Sequence, residues 1–256
     1  MKKKAAKRLK KLSGSTIDAA EVGQFEALAA EWWDESGPMK PLHRLNPVRV
    51  GYLKKQICSH FRRDENSFSP FKGLHMLDVG CGGGLVTEPL RRLDANVTGI
   101  DAGAENIKIA KEHARRHDLD IHYAATTAEK LSATGKKYDV VTALEIVEHV
   151  AEPALFISTC CDLVRKNGLL VFSTLNRTPK SYLLGIIAAE YILRWVPAGT
   201  HDWKKFVRPA ELARPLEQNG FEIMDIRGLV YNPLHREFQL SSTDMDVNYF
   251  LTAKKL

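Results

Sequence analysis

The sequence predicts an α/β fold: a seven-stranded, mostly parallel sheet with helices on both faces, Rossmann-like, and an antiparallel pair at the C-terminal edge. Three observations carry this. From about residue 74, short apolar runs rich in Val, Ile and Leu alternate with helical segments over short links, the pattern of a parallel sheet covered on both sides. The first run, "HMLDVGCGGG", opens into four glycines within five positions, a strand-to-helix turn of bare backbone. The last two runs, "FEIMDIRGLVY" and "DVNYFLTAKKL", have no helix between them and so pair antiparallel.

Taken in order, residues 1–20 read as a basic flexible tail and 21–73 as a helical extension. Within the extension, "VGQFEALAAEWWDES" (22–36) has helical spacing, "SGPMKPLHRLNPVR" is a Pro-broken connection, and a second helix covers about 47–61. "RRDENSFSPFKG" is a polar loop. The main domain, 74–256, then runs strand "LHMLDVG", helix "GLVTEPLRRLD", strand "NVTGID" and helix "AENIKIAKEHARRHD". "IHYAATTAEKL" is a strand and loop, and "YDVVTALEIVEHV" a strand followed by a turn or short helix. A helix over "EPALFISTCCDLVRKNG" ends on Gly168, with Arg165 and Lys166 in its last turn, before the strand "LLVFSTLN". An insertion at 178–205 separates that strand from the C-terminal pair.

At 256 residues the chain can bury one sizeable core. Its net charge of +6 invites a nucleic-acid reading until the charge is located: "MKKKAAKRLKK" holds seven basic residues, and +6 less these seven leaves −1 for the other 245. The body is near neutral, so no nucleic-acid partner is expected. The tail reads as a solvated arm or as a contact for anionic lipid, at about 1 kcal/mol per basic residue. No apolar segment follows it, and its Lys bias differs from the Arg and Ser of a mitochondrial presequence. Cys58, Cys81, Cys160 and Cys161 show no metal or disulfide spacing and are expected to be reduced thiols, buried or semi-buried.

What ligand the glycine turn accepts follows from its acid. The G-x-G-x-x-G fingerprint fails, because Leu85 stands where the third glycine belongs; what fits is Asp78, Gly80, Gly82 and Gly84. Beside a pyrophosphate Asp78 would add repulsion, whereas beside an ammonium and a sulfonium it adds attraction. S-adenosyl-L-methionine has both cations and no phosphate. Asp101 ends the next strand, where an acid accepts hydrogen bonds from adenosine ribose hydroxyls.

Further on, Glu145, Glu148 and His149 stand at i, i+3 and i+4. On a helical turn all three would point the same way, either binding a divalent cation such as Mg²⁺ or Zn²⁺ or leaving His149 as a general base. Residues 181–196 are apolar apart from Ser181, Tyr182, Glu190 and Arg194, and Pro179 and Pro197 bracket them. The segment is too short and polar to span a bilayer. A core helix, a lid and an interfacial helix are all open.

The segments "FEALAAEWWDE", "KPLHRLNPVRVGY", "LDVGCGGG", "VTGIDA", "YDVVTALEIVEHV", "FSTLNRTPKSYLLGIIAAEYILRWVPAGTHDWKKF" and "VYNPL…DVNYFL" together resemble the ubiquinone-biosynthesis O-methyltransferases. These are class I, S-adenosylmethionine-dependent enzymes that methylate polyprenylated catechols such as 3-demethylubiquinol. The glycine motif belongs to the whole superfamily, while "PLHRLNPVR", "STLNR" and "AEYILRWVPAGTHDWKKF" belong to this branch. The resemblance implies cofactor contacts at Arg49, Gly80, Asp101 and Leu144, with Arg49 directed to the methionine carboxylate. It implies cation ligands at Glu145, Glu148 and His149, catalytic roles for His149 and Glu145, and a membrane-contacting or lid role for 178–205. It also implies a polyprenylated quinol substrate, an anionic membrane surface and other ubiquinone-biosynthesis proteins as partners. The expected location is cytoplasmic, peripheral to the inner membrane. Other apolar acceptors and a non-catalytic lipid-binding role are the alternatives.

Overall fold

The computed structural model describes residues 15–183, 202–235 and 237–256. The expectations for the Lys-rich tail at 1–11 and for most of the 178–205 insertion fall outside these residues.

One sheet organises the chain. Strands β1 (His75–Val79), β2 (Asn96–Asp101), β3 (His122–Ala125), β4 (Tyr138–Leu144), β5 (Val164–Leu175), β6 (Phe221–Asn232), β7 (Glu237–Ser241) and β8 (Asn248–Lys255) lie in the order β3-β2-β1-β4-β5-β8-β6-β7. Pairs among β1 to β5 are parallel, and β8 runs antiparallel between β5 and β6. Among the described residues the sheet has eight strands, where the sequence predicts seven. The extra strand, β7, pairs antiparallel with β6 through "EFQLS", whose residues are exposed or half-buried. Phe238 and Leu240 do alternate with polar neighbours, but five residues of which only Phe238 packs against the core make too short a run to stand out from a loop.

Helices α1 (Ala19–Ala27), α2 (Lys40–Phe61), α3 (Thr87–Arg92), α4 (Ala104–Arg116), α5 (Ala128–Ser132), α6 (Pro153–Leu163) and α7 (Pro209–Gln218) cover both faces. Successive strand residues point to opposite sides. Met76, Val140, Val171 and Phe250 therefore pack with Tyr52, Leu53 and Ile57 of α2. Their neighbours Leu77, Val141, Phe172 and Leu251 pack with Phe156 and Ile157 of α6 and Leu212 of α7. Burying each such side chain contributes about 1.5–3 kcal/mol.

Three helices depart from the sequence expectation. Helix α2 begins at Lys40 and runs through the supposed Pro-broken connection. Pro41 occupies its first turn, where no N–H is needed. Pro47 removes one backbone bond, but Leu45, Arg49, Tyr52, Leu53, Ile57 and Cys58 are buried along the same helix, and that packing outweighs a propensity cost of about 3 kcal/mol. Helix α1 stops at Ala27, before a 3₁₀ turn at Ala29–Glu31. Helix α6 stops at Leu163 rather than Gly168. There Lys255 of β8 donates to the carbonyls of Cys161 and Val164 at 2.7 and 2.8 Å, and Val164 pairs with Tyr138. A cation from a distant strand closes the helix end.

Candidate active site

The carboxyl ends of β1, β2 and β4 meet beneath α1 and α2 around a cavity of about 530 Å³. Asp78, Gly80, Gly82, Asp101, Arg49, Leu144, Glu145, Glu148 and His149 all line it. Sequence positions spread over a hundred residues converge because parallel strands deliver their loops to one edge.

The glycine turn is not an anion cradle. The Gly80 and Cys81 amides donate to the Ile100 carbonyl at 2.8 and 3.0 Å, and the Gly84 amide donates to the Cys81 carbonyl at 2.9 Å. The Gly82 amide donates to Asp101 Oδ2 at 3.0 Å. The glycines are needed for close approach: Gly80 and Gly82 have φ of 73° and 51°, and a Cβ would lie 2.1 Å from Ile146 and 2.4 Å from Trp32, respectively. Trp32 lies across the loop, with its indole N–H donating to Asn106 Oδ1 at 2.9 Å.

Asp78 is buried, with one oxygen accepting from Thr87 Oγ1 at 2.7 Å and the other from Thr142 Oγ1 at 2.8 Å. Burial pushes its carboxyl up to about 6, against the pull of those hydroxyls and of Arg49. Asp101 ends β2 as expected, accepting from the Gly103 amide at 2.8 Å and from Asn106 Nδ2 at 3.2 Å. Burial raises its carboxyl as well, while the backbone bonds oppose the shift.

Arg49 enters from α2 and is 4% exposed. Burial pulls its guanidinium down and Glu145 pulls it back up. Its Nη2 lies 3.5 Å from Glu145 Oε1. Among the described residues neither Nε nor Nη2 has a hydrogen-bond partner. These two nitrogens form one edge of the guanidinium fork, the edge that grips a carboxylate bidentately. Two orphaned donors, an acid at the end of β2 and bare backbone between them fit a ligand with a carboxylate, a ribose and a cationic centre. S-adenosylmethionine has all three. Composition and motif reading alone miss Arg49, yet a signal exists: Leu45, Arg49 and Leu53 are spaced i, i+4, i+8 on one stripe. A lone charge there is rare unless it is used.

The acidic cluster departs from its expected geometry. Glu145 precedes the 3₁₀ turn Val147–His149 and has φ of 52°, so the three residues do not share one helical face. Glu145 Oε1 accepts from Ser173 Oγ at 2.7 Å and Oε2 from Asn248 Nδ2 at 2.9 Å. Glu148 is buried with Oε2 unbonded among the described residues, and burial and the Glu145 charge push its carboxyl well up. His149 Nδ1 meets Glu21 Oε2 at 3.0 Å, and its ring stands edge-on to Phe25. Burial would lower this imidazole, but the Glu21 bond and the neighbouring carboxylates raise it on balance. Among the described residues no three His, Cys, Asp or Glu side chains are grouped to hold a metal ion. The trio does not fit a cation in this arrangement, because both Glu145 oxygens already accept from Ser173 and Asn248 and His149 Nδ1 is held by Glu21.

Residues that the sequence reading did not single out brace the lining residues Asp18, Glu21 and Glu145. Lys205 Nζ bridges Glu21 Oε1 at 2.7 Å and Asp18 Oδ2 at 3.1 Å, tying the end of the insertion to α1. Ser173 and Asn248 arrive from β5 and β8. No local pattern announces these long-range partners. All four cysteines are free and buried, as expected. Among the described residues no helix is long and apolar enough to cross a membrane.

Comparison with known proteins agrees with this construction. A methyltransferase-domain family model matches residues 51–226. A ubiquinone biosynthesis O-methyltransferase of Dinoroseobacter shibae is 50% identical over 91% of this chain and 94% of its own length. One of Rhizobium etli is 50% identical over 94% and 97%. Among solved structures, the plantazolicin methyltransferase BamL with SAH superposes with a TM-score of 0.64 at 18% identity, covering 91% of this chain and 97% of its own. The magnesium protoporphyrin IX methyltransferase of Synechocystis with SAM gives 0.59 at 18% identity, covering 95% and 100%. These distant structures share the fold, and the near relatives share half the residues over almost the whole length: the chain belongs to the ubiquinone biosynthesis O-methyltransferase family.

Proposed function

We propose that the chain is an S-adenosylmethionine-dependent O-methyltransferase of ubiquinone biosynthesis, acting on the catechol hydroxyls of polyprenylated precursors, 3-demethylubiquinol among them. The observation that carries this is the Nε and Nη2 edge of buried Arg49, free of hydrogen bonds among the described residues, in one cavity with Asp101 and a glycine turn whose Gly80, Cys81, Gly82 and Gly84 amides are already bonded. Such a pocket repels phosphate and receives a zwitterion.

When bound, S-adenosylmethionine supplies an electrophilic methyl group for in-line displacement by the acceptor oxygen. Arg49 takes the carboxylate end, Asp101 takes the ribose, and the Asp78 charge favours the cationic centre. Phe25, Ile146 and Phe156 wall the cavity and exclude water. A catechol hydroxyl has a pKa near 10, roughly that of Tyr, so it must give up its proton as the bond forms. His149, oriented through Nδ1 by Glu21, is the base that takes it. The polyprenyl tail of the substrate lies in a bilayer. The apolar stretch at 181–196 and the exposed Tyr182 and Leu183 at its start suit docking on an anionic inner-membrane surface from the cytoplasmic side.

The test is transfer of labelled methyl to a panel of prenylated and unprenylated catechols, with and without exhaustive chelation. Transfer confined to prenylated catechols, at full rate under chelator, is expected. Failure of every catechol to accept methyl sinks the substrate assignment, and loss of activity restored by Mg²⁺ or Zn²⁺ sinks the metal-free role of His149.

A further inference from the structure

We infer that Glu145 is the positioning carboxylate of Arg49, holding the guanidinium for the carboxylate end of the methyl donor, in place of the cation-ligand role that family resemblance gives it. The inference rests on the cavity being the donor site and assigns one residue's part within it.

The backbone comes first. Glu145 follows β4 directly, with a left-handed φ of 52°, a conformation that a non-glycine residue holds only when its surroundings enforce it. Its amide donates to the Ser173 carbonyl at 2.9 Å, an anchor that fixes this turn. The side chain is then caught twice, by Ser173 Oγ on Oε1 at 2.7 Å and by Asn248 Nδ2 on Oε2 at 2.9 Å. Two neutral donors from β5 and β8 thus aim the anion at Arg49, whose Nη2 is 3.5 Å away.

Electrostatics points the same way. A guanidinium this buried needs a counter-charge, and Glu145 is the principal group holding its charge against desolvation. The carboxylate approaches Arg49 without forming a hydrogen bond to Nε or Nη2, so the fork edge remains open to a ligand. A divalent cation on Glu145 would sit beside a fixed positive charge and compete with two bonds already made to its oxygens.

Calorimetric titration in chelator separates the roles, using S-adenosylhomocysteine and its decarboxylated analogue, which keeps the ammonium and lacks the carboxylate. Glu145→Gln is expected to weaken S-adenosylhomocysteine by about tenfold to a hundredfold and to leave the analogue unchanged. Adding Mg²⁺ or Zn²⁺ should alter neither result. Arg49→Lys should show the same ligand selectivity, and the double variant should lose no more than the worse single one. If Glu145→Gln shows no cooperative thermal unfolding, Ser173→Ala and Asn248→Ala, which keep the charge but loosen its aim, carry the test with a smaller selective loss. An unchanged S-adenosylhomocysteine affinity, an equal loss for both ligands, or a loss seen only with added cation overturns the assignment. Wild-type protein that binds neither ligand overturns the donor-site reading itself.

Discussion

Asp78 shows how much a single buried acid controls. Its carboxyl, held up at about 6 by burial, takes on a proton as pH falls through that value. The protonated form no longer attracts a sulfonium, so affinity for S-adenosylmethionine should fall below about pH 6. S-adenosylhomocysteine, which lacks the sulfonium, should respond less, and Asp78→Asn should flatten both profiles in calorimetric titrations. Linkage has a definite sign here. An acid raised in the folded state binds its proton more tightly there than in the unfolded chain, so stability falls as pH rises from the ordinary carboxylate range to about 6. Glycines offer a second contrast at this scale. Gly82→Ala forces a side chain into φ of 51° and a Cβ to 2.4 Å from Trp32. The backbone term alone costs about 1–2 kcal/mol, and the melting temperature and donor affinity should both drop. Gly51→Ala, within α2 and with nothing near its Cβ, should instead stabilise by about 0.5–1 kcal/mol. The Asp78, Gly80, Gly82 and Asp101 group was legible in the sequence because its members lie within one strand–turn–helix–strand unit. The Glu21–His149 and Glu145–Asn248 contacts were not, because each joins residues more than a hundred positions apart.

Unlike helices α2 to α7, α1 has no fully buried residue. Its hold on the cavity depends on Asp18 capping its first turn, on Phe25 against His149, and on Lys205 reaching back across to it. Half-exposed ion pairs of this kind contribute less than about 1 kcal/mol to global stability, yet they can decide whether a short helix stays docked. Lys205→Ala should leave the thermal midpoint nearly unchanged while amide exchange at residues 19–27 accelerates. Exchange equal to wild type would mean that apolar packing alone seats the helix. In helix α2 the buried core prevails over local propensity. Its two prolines suggested a broken connection, but one lies in the first turn and the other is overruled by the buried stripe behind it.

On the scale of the whole molecule, the charge is divided. Residues 1–11 carry seven positive charges and the remainder is near neutral. Attraction of the full chain to anionic liposomes should therefore fall with added salt and largely disappear when residues 1–11 are removed, with methyl transfer to a detergent-solubilised prenylated catechol retained. Ile187→Glu and Trp195→Glu, placed in the apolar insertion by sequence, should weaken sedimentation with liposomes. Sedimentation that resists salt and both substitutions would remove the membrane-docking reading. The sheet imposes a further division. Donor groups gather at the tips of β1, β2 and β4, while β5 and β8 supply Ser173 and Asn248 to the same rim.

By itself, the sequence determined the alternating parallel sheet, the antiparallel C-terminal edge and a pocket meant for a cationic nucleoside without phosphate. Each of these is written in periodicity or in residues close along the chain, and local chemistry is enough to express them. Tertiary structure alone decided that Glu145, Glu148 and His149 line one cavity without sharing a helical face, that Arg49 brings its guanidinium into that cavity and that Lys205 fastens α1. The reason is that a side chain's direction depends on one backbone angle and on partners that no nearby residue specifies.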